Sequence, residues 1–414
     1  MAKKNIVVGL DVGTTKISTV VGQLTEGVVD IVGVGQSESS GLRKGEIVDI
    51  EETVSSISVS LEEAERMSGT PLQDAFVSIG GVKVSAQNSK GVIAVSRADG
   101  EISENDVSRV IEAARAIPNS PNREIIHVIP RTFTIDGQTD IKDPVGMSGI
   151  RLEVDALVVS TSTSSVKNLN KCVNQSGLQI NEIIFAPLAT AKFLLSKRQK
   201  EIGVILIDIG AATTNYAVYE EGEILTCGII PIGSLHISND IAIGLRINIE
   251  TAEKIKIKYG SAYPEKINEK EEIDLSKIDK TEEGFVSLKY VAEIIEARIN
   301  EIFQMIKDTL SEIGRDGMLP AGVILTGGGA KLEGIVDLTK ENLHLPAQVG
   351  VALPELSGIV DKLADPVYAT SIGLMTWGID SDQHAKSSLG NIGNLPAVSG
   401  FVDKAKNIFK QFMP

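Results

Sequence analysis

The sequence predicts an α/β fold of two lobes with duplicated core domains. A short apolar strand runs into a turn of aspartate, glycine and threonine at residues 6–15, and the same pattern returns at residues 204–214. Each copy continues into a second strand, a Glu-Gly turn and a third strand, which gives a duplicated three-strand meander. Segments with helical spacing alternate with strand-like segments, which is typical of α/β domains.

The two turns have the composition of phosphate-binding loops; residues 11–16 are called the first phosphate turn and residues 208–214 the second. Glycine lets the backbone approach a ligand, and backbone N–H groups and threonine hydroxyls can donate to phosphate oxygens. Asp11 and Asp208 suit Mg²⁺, which keeps several waters and binds one or two carboxylates and substrate phosphates. A single such turn is most often an ordinary hairpin. The duplication favours two turns that hold a metal–polyphosphate between two lobes.

A glycine triplet follows a third apolar strand. Residues 322–326 form this strand, Gly327, Gly328 and Gly329 follow it, and we expect a helix after them. Alone, the triplet would be an ordinary loop, but it allows close approach of a base or ribose. Two aspartate turns and then a glycine triplet, each at a strand end, resemble the actin and sugar-kinase superfamily over nearly the full chain.

Composition excludes several classes of function. The 414 residues, 42% apolar, can bury a large core and favour two or three domains. Lys and Arg total 40 against 55 Asp and Glu, a net charge of −15, so no nucleic acid is expected as a main partner. Cys172 and Cys227 are isolated, which fits a reducing compartment and predicts no disulfide or metal cluster. Because the N-terminal apolar run stops at Asp11 and no segment reaches roughly 20 apolar residues, we expect a cytosolic body.

In the first half of the chain, the pattern of predicted strands and helices changes, which predicts an inserted subdomain from about residue 81 to 160. A helix ended by residues 69–71 and a strand at 76–79 precede it. Inside it, Ser103 with Asp106 is a capping-box signature for a helix that Pro118 ends. The predicted strands of the subdomain are residues 82–86, 92–95, 125–135 and 152–159.

The second half repeats this organisation around the second phosphate turn. The expected helices are residues 161–177, one from Ser234, 249–259, about 286–313, and a last one opened by Asp365-Pro366. Residues 262–284 are crowded with Lys and Glu and predict a solvated loop.

The C-terminal residues predict a membrane-binding helix behind a flexible linker. Residues 400–414 carry three Lys and one Asp, which suits an anionic lipid surface, and their helix of roughly 22 Å is too short to span a bilayer. One such tail binds weakly, and many in a polymer bind well. The alternatives are that this helix docks on the chain's own core or in a groove of a partner protein. Phe401, Val402, Ala405, Ile408, Phe409 and Phe412 share the apolar face, and Lys404, Lys406 and Lys410 lie on the flanks and opposite side.

Residues 185–189, 252–260 and 326–330, together with the tethered helix, resemble the FtsA family of bacterial actin-like division proteins over the whole chain. The resemblance implies an actin-like fold with ATP and Mg²⁺ in the cleft between the lobes. The implied divisions are residues 1–82 and 162–200 (first lobe core), 83–161 (inserted subdomain), 201–226 (second lobe core), 227–303 (second small subdomain), 304–380 (second lobe core and return to the first lobe), 381–399 (flexible linker) and 400–414 (membrane-targeting helix).

The resemblance also assigns roles in the cleft. Asp11 and Asp208 would orient the metal through water, and Glu253 and Lys256 match the helix that contacts ribose and base in relatives. For this last pair, a solvent-exposed helix pair is the alternative. Gly327, Gly328 and Gly329 would flank the adenosine. The phosphates would be held by Gly13, Thr14, Thr15, Lys16, Gly210, Thr213 and Thr214.

Two departures bear on hydrolysis. Tighter relatives have glycines where the second turn has Ala211 and Ala212, and the alanines reduce the approach of the backbone to a phosphate. Hsp70-like and filament-forming relatives often have a carboxylate directly before the proline, where this chain has Ala186 before Pro187. A group that could position attacking water is missing there. We therefore expect ATP binding with at most slow hydrolysis.

Proteins similar to FtsA polymerise at the cytoplasmic face of the membrane at the division septum, tether FtsZ filaments of the Z-ring, and recruit later division proteins through the inserted subdomain. The FtsZ C-terminal tail would dock on the second small subdomain, with Arg298 as a candidate contact. An actin-like assembly protein of type IV pilus machinery and a small-molecule kinase of the same superfamily are the alternatives.

Overall fold

The computed structural model describes residues 5–25, 28–116, 122–350, 356–358 and 364–389. The predicted membrane helix at 400–414 lies outside these residues, as do the Glu-Gly turn at 26–27 and Pro118. The strands are β1 (Asn5–Val12), β2 (Lys16–Thr25), β3 (Val28–Glu38), β4 (Leu42–Arg43), β5 (Glu46–Ile47), β6 (Asp74–Ile79), β7 (Ser85–Ala94), β8 (Arg123–Ile135), β9 (Gln138–Ile141), β10 (Arg151–Ser162), β11 (Gln179–Phe185), β12 (Val204–Ile209), β13 (Thr214–Glu220), β14 (Glu223–Ile230), β15 (Glu272–Asp274), β16 (Phe285–Ser287), β17 (Gly322–Thr326), β18 (Ala347–Val349) and β19 (Leu356–Gly358). The α-helices are α1 (Ile50–Ser68), α2 (Glu104–Arg115), α3 (Thr163–Gln175), α4 (Ala186–Leu194), α5 (Lys197–Ile202), α6 (Ser234–Leu245), α7 (Ile249–Tyr259), α8 (Leu288–Glu312), α9 (Ile335–Leu343) and α10 (Ala369–Leu389).

The sheets of the two lobes share the order of five strands, and β19 adds a sixth strand in the first lobe. In the first lobe the strand order is β11-β6-β1-β2-β3-β19, and in the second it is β18-β17-β12-β13-β14. In both, an antiparallel meander continues into a strand that pairs in parallel with the first strand of the meander. The predicted two-lobed α/β fold with duplicated cores is therefore confirmed.

Helices α4 and α10 lie between the two sheets and join the lobes. Their side chains share one apolar core with β1 and β2 of the first lobe and with β12 and β13 of the second. Close approach is built into the sequence, because a Cβ on Gly373 of α10 would come within 2.0 Å of the Ala189 carbonyl oxygen of α4. The outer faces of the sheets are covered by α1 and α3 in the first lobe and by α6 to α9 in the second.

The inserted subdomain is a separate four-stranded sheet, β7-β10-β8-β9, with α2 packed on one face. The predicted capping box forms, since Ser103 and Asp106 exchange hydrogen bonds between side chain and backbone. The prediction of two short strands at 82–86 and 92–95 was wrong. One strand, β7, runs unbroken because its polar residues pair continuously with β10, and Gly91 lets the strand pass against the Val110 carbonyl of α2.

Two further predictions were wrong in part. The charged loop at 262–284 is not wholly solvated, because β15 pairs with β16 and the side chains of Ile273 and Leu275 enter the second-lobe core. Residues 381–389 of the predicted linker (381–399) are helical instead, because α10 continues to Leu389, and residues 390–399 lie outside the described residues. Its polar residues do not break the helix, and the first glycine after Gly378 is Gly390. A 3₁₀ turn, Pro366–Tyr368, precedes α10.

Candidate functional site

The two phosphate turns have the same backbone geometry. In the first, the N–H of Gly13 donates to the carbonyl of Lys16, and in the second the N–H of Gly210 donates to the carbonyl of Thr213, each at 3.0 Å. The strand pair that flanks the first turn is Val12 opposite Ile17, and the pair that flanks the second turn is Ile209 opposite Thr214. The turns therefore share one hydrogen-bonding register, with Thr213 in the place of Lys16.

This register corrects the role expected for Thr214. Its structural counterpart is Ile17, a core residue, and not Thr15. The Thr214 side chain is fully buried, and its hydroxyl donates to the carbonyl of Ile232 at 2.8 Å. Thr214 does not line the cleft, because its position in the strand directs the side chain into the second lobe.

The turns face each other across one cleft of about 520 Å³. The glycine triplet forms its third wall, and Glu253 and Lys256 of α7 reach it from the second lobe. Residues from distant parts of the chain thus converge as the duplication predicted. The predicted residues that line the cleft are Asp11, Gly13, Thr14, Thr15, Lys16, Asp208, Gly210, Thr213, Glu253, Lys256, Gly327, Gly328 and Gly329.

Both aspartates of the phosphate turns have raised pKa values. Burial, and after it the charge of Asp11, raise the pKa of Asp208 to about 6, against the opposing effects of Asn215 and Lys16. Burial also raises the pKa of Asp11, against the opposing effects of Lys16 and of the hydrogen bond from Ser78. Two buried carboxylates on facing turns favour a cation between them.

The polar atoms beside Asp208 fit a hydrated cation. The Asn215 amide nitrogen lies 3.4 Å from a carboxylate oxygen of Asp208. The Asn215 amide oxygen is buried and accepts no hydrogen bond among the described residues. A water bound to Mg²⁺ could donate to it, so Asp11 and Asp208 would hold the ion with their carboxylates and Asn215 would orient its water. Within the described residues, no group of three or more His, Cys, Asp or Glu could form a metal site of its own.

Lys16 is bound to the segment that precedes α10. Its ammonium group donates to the carbonyl of Val367 and lies 4.7 Å from the centre of the Tyr368 ring. Burial lowers its pKa, although the carboxylates of Asp11 and Asp208 favour the charged form. The positive charge therefore sits beside the first phosphate turn and links it to the 3₁₀ turn before α10.

The glycine triplet places backbone against the second turn. Gly327 has φ 80° and ψ 178°. A Cβ there would lie 2.3 Å from a carboxylate oxygen of Asp208. Gly328 is exposed, with no atom within 4 Å of the position its Cβ would take. The helix expected after the triplet begins as a 3₁₀ turn, Gly328–Lys331, and α9 starts only at Ile335.

Glu253 and Lys256 form a network and not an exposed helix pair. The ammonium group of Lys256 lies 2.7 Å from the Glu253 carboxylate, 2.9 Å from the Ser238 hydroxyl and 3.1 Å from the Ser234 carbonyl. Lys256 is 6% exposed, and burial lowers its pKa. The network orders the side chains of α6 and α7 along the wall of the cleft.

Sequence reasoning missed several cleft residues. The Ser78 hydroxyl donates to Asp11 at 2.7 Å and accepts from the Val12 N–H at 3.0 Å, which fixes the carboxylate. Ser78 lies near the end of β6, which pairs in parallel with β1, so the shared sheet edge was a usable signal. Asn215 could have been found from its position opposite Asp208 across the hairpin.

Ala186 lines the cleft, and no carboxylate stands at that point of the wall. Arg298, the candidate partner contact, is held by a bidentate ion pair to Asp240 at 2.6 and 2.9 Å and by Glu301, and its side chain is 25% exposed. Among the described residues, no helix is both long enough and apolar enough to cross a membrane.

Comparisons with known proteins identify the family. The family described as "Cell division protein FtsA" matches residues 205–373, and the "SHS2 domain inserted in FTSA" matches residues 81–160. The chain is 37% identical over 383 residues to the cell division protein FtsA of Pseudomonas aeruginosa, covering 92% of this chain and 91% of the relative. The chain belongs to the FtsA family. It is also 39% identical over 375 residues to FtsA of Bacillus subtilis, covering 91% and 84% of the two chains.

Solved structures give the same fold at low identity. A PilM-PilN type IV pilus biogenesis complex aligns with TM-score 0.68 and 16% identity over 90% of this chain and 98% of that chain. MreB 5 of Spiroplasma citri bound to AMPPNP aligns with TM-score 0.57 and 14% identity over 93% and 99%. The chain therefore has an actin-like fold, and its place in the FtsA family makes it a cell division protein.

Proposed function

We propose that this FtsA-family protein binds Mg²⁺-ATP between its lobes and polymerises on the cytoplasmic face of the cell membrane at the division septum. The observation that carries the nucleotide site is the pair of phosphate turns with the same hydrogen-bonding register, facing each other in one cleft. The phosphates of a bound ATP would supply the negative charge that the cation and the two turns bind. The N–H groups of the two turns, Thr14, Thr15 and Thr213 would contact the phosphates, and the glycine triplet would flank the adenosine.

Hydrolysis is slow or absent in this proposal. Ala186 contributes no group that could orient an attacking water, and the second turn carries Ala211 and Ala212. Nucleotide therefore acts by holding the two lobes together in one relative orientation, and not by driving turnover. Fast phosphorylation of a small acceptor would instead indicate a kinase.

Membrane attachment is assigned to residues 400–414. Their six apolar side chains on one helical face and three lysines suit an anionic bilayer, and a filament would present many such tails at once. The attached filament would tether FtsZ filaments through the FtsZ C-terminal tail, bound on the second small subdomain, and would recruit later division proteins through the inserted subdomain. Arg298 would reach a partner only beside its existing ion pairs.

A pelleting assay with anionic liposomes, FtsZ filaments, and ATP present or absent tests the proposal. With liposomes alone, the full chain should pellet, while a chain ending at residue 399 should remain in the supernatant. When FtsZ filaments are added, the full chain should carry them onto the liposomes. Phe409→Ser should weaken pelleting. The matched control is Phe285→Ser, which removes a 68% exposed phenylalanine from the body and should leave liposome binding unchanged. Equal pelleting of the full and shortened chains would refute the membrane assignment.

A further inference from the structure

A short hairpin connects the first phosphate turn to the inserted subdomain. The hairpin, residues 42–47, consists of β4 and β5. At its tip, the N–H of Gly45 donates to the hydroxyl oxygen of Thr14 at 3.1 Å. Gly45 also packs against Gly81, so closely that a Cβ on Gly45 would lie 2.6 Å from the Gly81 Cα. The hairpin thus contacts both a predicted phosphate ligand and the point where the chain leaves the first lobe.

The next residue, Glu46, contacts both segments that connect the inserted subdomain to the lobe. These segments, residues 81–85 and 160–165, are called the neck. The Glu46 carboxylate accepts from the hydroxyl of Ser165 at 2.6 Å and lies 3.4 Å from the ammonium group of Lys83. Its side chain is only 14% exposed, and its second carboxylate oxygen is buried with no hydrogen bond among the described residues.

Arg123 fastens the two segments of the neck together. The guanidinium group donates to the carbonyl of Lys83 at 3.1 Å and to the carbonyl of Ser160 at 2.8 Å, and it also reaches the hydroxyl of Ser85. A displacement imposed on one segment is therefore passed to the other.

We infer that Glu46 is a positioning residue that couples nucleotide in the cleft to the orientation of the inserted subdomain. The inference rests on the proposed nucleotide site. The Thr14 hydroxyl accepts from Gly45 and keeps its own proton free to donate to a phosphate oxygen, so phosphate binding and the hairpin share one side chain. Because the backbone of Gly45 is in contact with Gly81, a shift of the hairpin tip displaces Gly81 as well. Glu46 transmits this shift to the neck. Such coupling requires that contacts differ between the states with and without nucleotide. The buried oxygen of Glu46, which has no hydrogen bond among the described residues, can gain a partner in one of these states.

Hydrogen–deuterium exchange on the full chain, with and without Mg²⁺-ATP, tests this coupling. In the wild type, nucleotide should slow exchange at the first phosphate turn and also in the neck, by about 3-fold or more if coupling has the size usual for such networks. Glu46→Ala should keep the protection of the turn and lose that of the neck. Ser165→Ala, a milder change, should reduce the neck response in the same direction. The matched control is Glu220→Ala, which removes a similarly buried carboxylate from Arg315 in the second lobe.

The outcomes separate this inference from the proposed function. Protection of the turn without any protection of the neck in the wild type would overturn the coupling and leave the nucleotide site standing. An unchanged neck response in both Glu46→Ala and Ser165→Ala would remove Glu46 from the path. Absence of protection at the turn itself would overturn the nucleotide site and the coupling with it. A purely structural role for Glu46 would raise neck exchange equally with and without nucleotide, which also contradicts the inference.

Discussion

Replacement of Gly327 by alanine should damage the fold and the site together, whereas replacement of its neighbour Gly328 should affect only the site. Both residues line the cleft. Gly327 has φ 80° with an extended ψ of 178°, a conformation essentially limited to glycine. Its Cβ would lie 2.3 Å from the Asp208 carboxylate and 2.7 Å from the carbonyl of Ile209. At Gly328 nothing lies within 4 Å.

The expected size follows from these two penalties. Backbone strain of this kind costs about 1–3 kcal/mol, and forced overpacking costs about 1–3 kcal/mol more. Gly327→Ala should therefore lower the free energy of unfolding by about 2–6 kcal/mol. Gly328→Ala should change it by less than about 0.5 kcal/mol, since a surface substitution without strain or clash has little effect.

Urea unfolding followed by circular dichroism measures the stability, and titration with a fluorescent ATP analogue measures binding. Gly327→Ala should reduce both the stability and the binding of the ATP analogue, because its methyl group displaces the Asp208 carboxylate. Gly328→Ala should weaken binding alone, because its methyl group projects into the cleft. A Gly327→Ala protein as stable as the Gly328→Ala protein would refute the assigned backbone conformation and the contact with Asp208.

The other predictions concern the second phosphate turn and a buried histidine. Thr214→Val should lower the free energy of unfolding by about 1–3 kcal/mol, because the buried carbonyl of Ile232 loses its donor. Thr213→Val should instead weaken ATP-analogue binding. The opposite pattern would contradict the register of the turn. Burial lowers the pKa of His127 to about 4, and its ring accepts from the Phe185 N–H at 3.0 Å. Because an unfolded histidine binds its proton near pH 6.5, stability should fall by up to about 3 kcal/mol as pH drops from about 6.5 to 4. His127→Gln should flatten this dependence in urea titrations at several pH values, and an unchanged slope would refute it.

The duplicated lobes and the convergence of the two turns could be predicted from the sequence because the meander repeats strand by strand. The register inside the second turn could not. The first turn has two threonines before Lys16, and the second has two alanines before its threonines. Matching threonine to threonine put Thr214 in the cleft, while the hydrogen bond from Gly210 to Thr213 puts it in the core. Only backbone pairing distinguishes the two alignments.

Other errors have the same origin in tertiary contacts. The polar centre of β7 reads as a break between two strands, but its pairing with β10 supplies the hydrogen bonds that its composition does not suggest. The residues after Ser381 read as a linker because they are small and polar, although nothing in them ends α10 before Gly390. The unpaired amide oxygen of Asn215 and the contact of Ser78 with Asp11 depend on which strand ends meet, which the sequence shows only indirectly.

Calorimetric titration of ATP into the full chain, with Mg²⁺ and with chelator, most directly tests the claim that the two turns clamp a metal–nucleotide complex. We expect one site per chain, with Mg²⁺ strengthening binding about tenfold or more, and Asp208→Asn should remove most of that gain because the carboxylates hold the cation. Glu220→Gln, far from the cleft, should keep it. Binding of ATP that is equally strong with and without Mg²⁺, or unaffected by Asp208→Asn, would contradict the account.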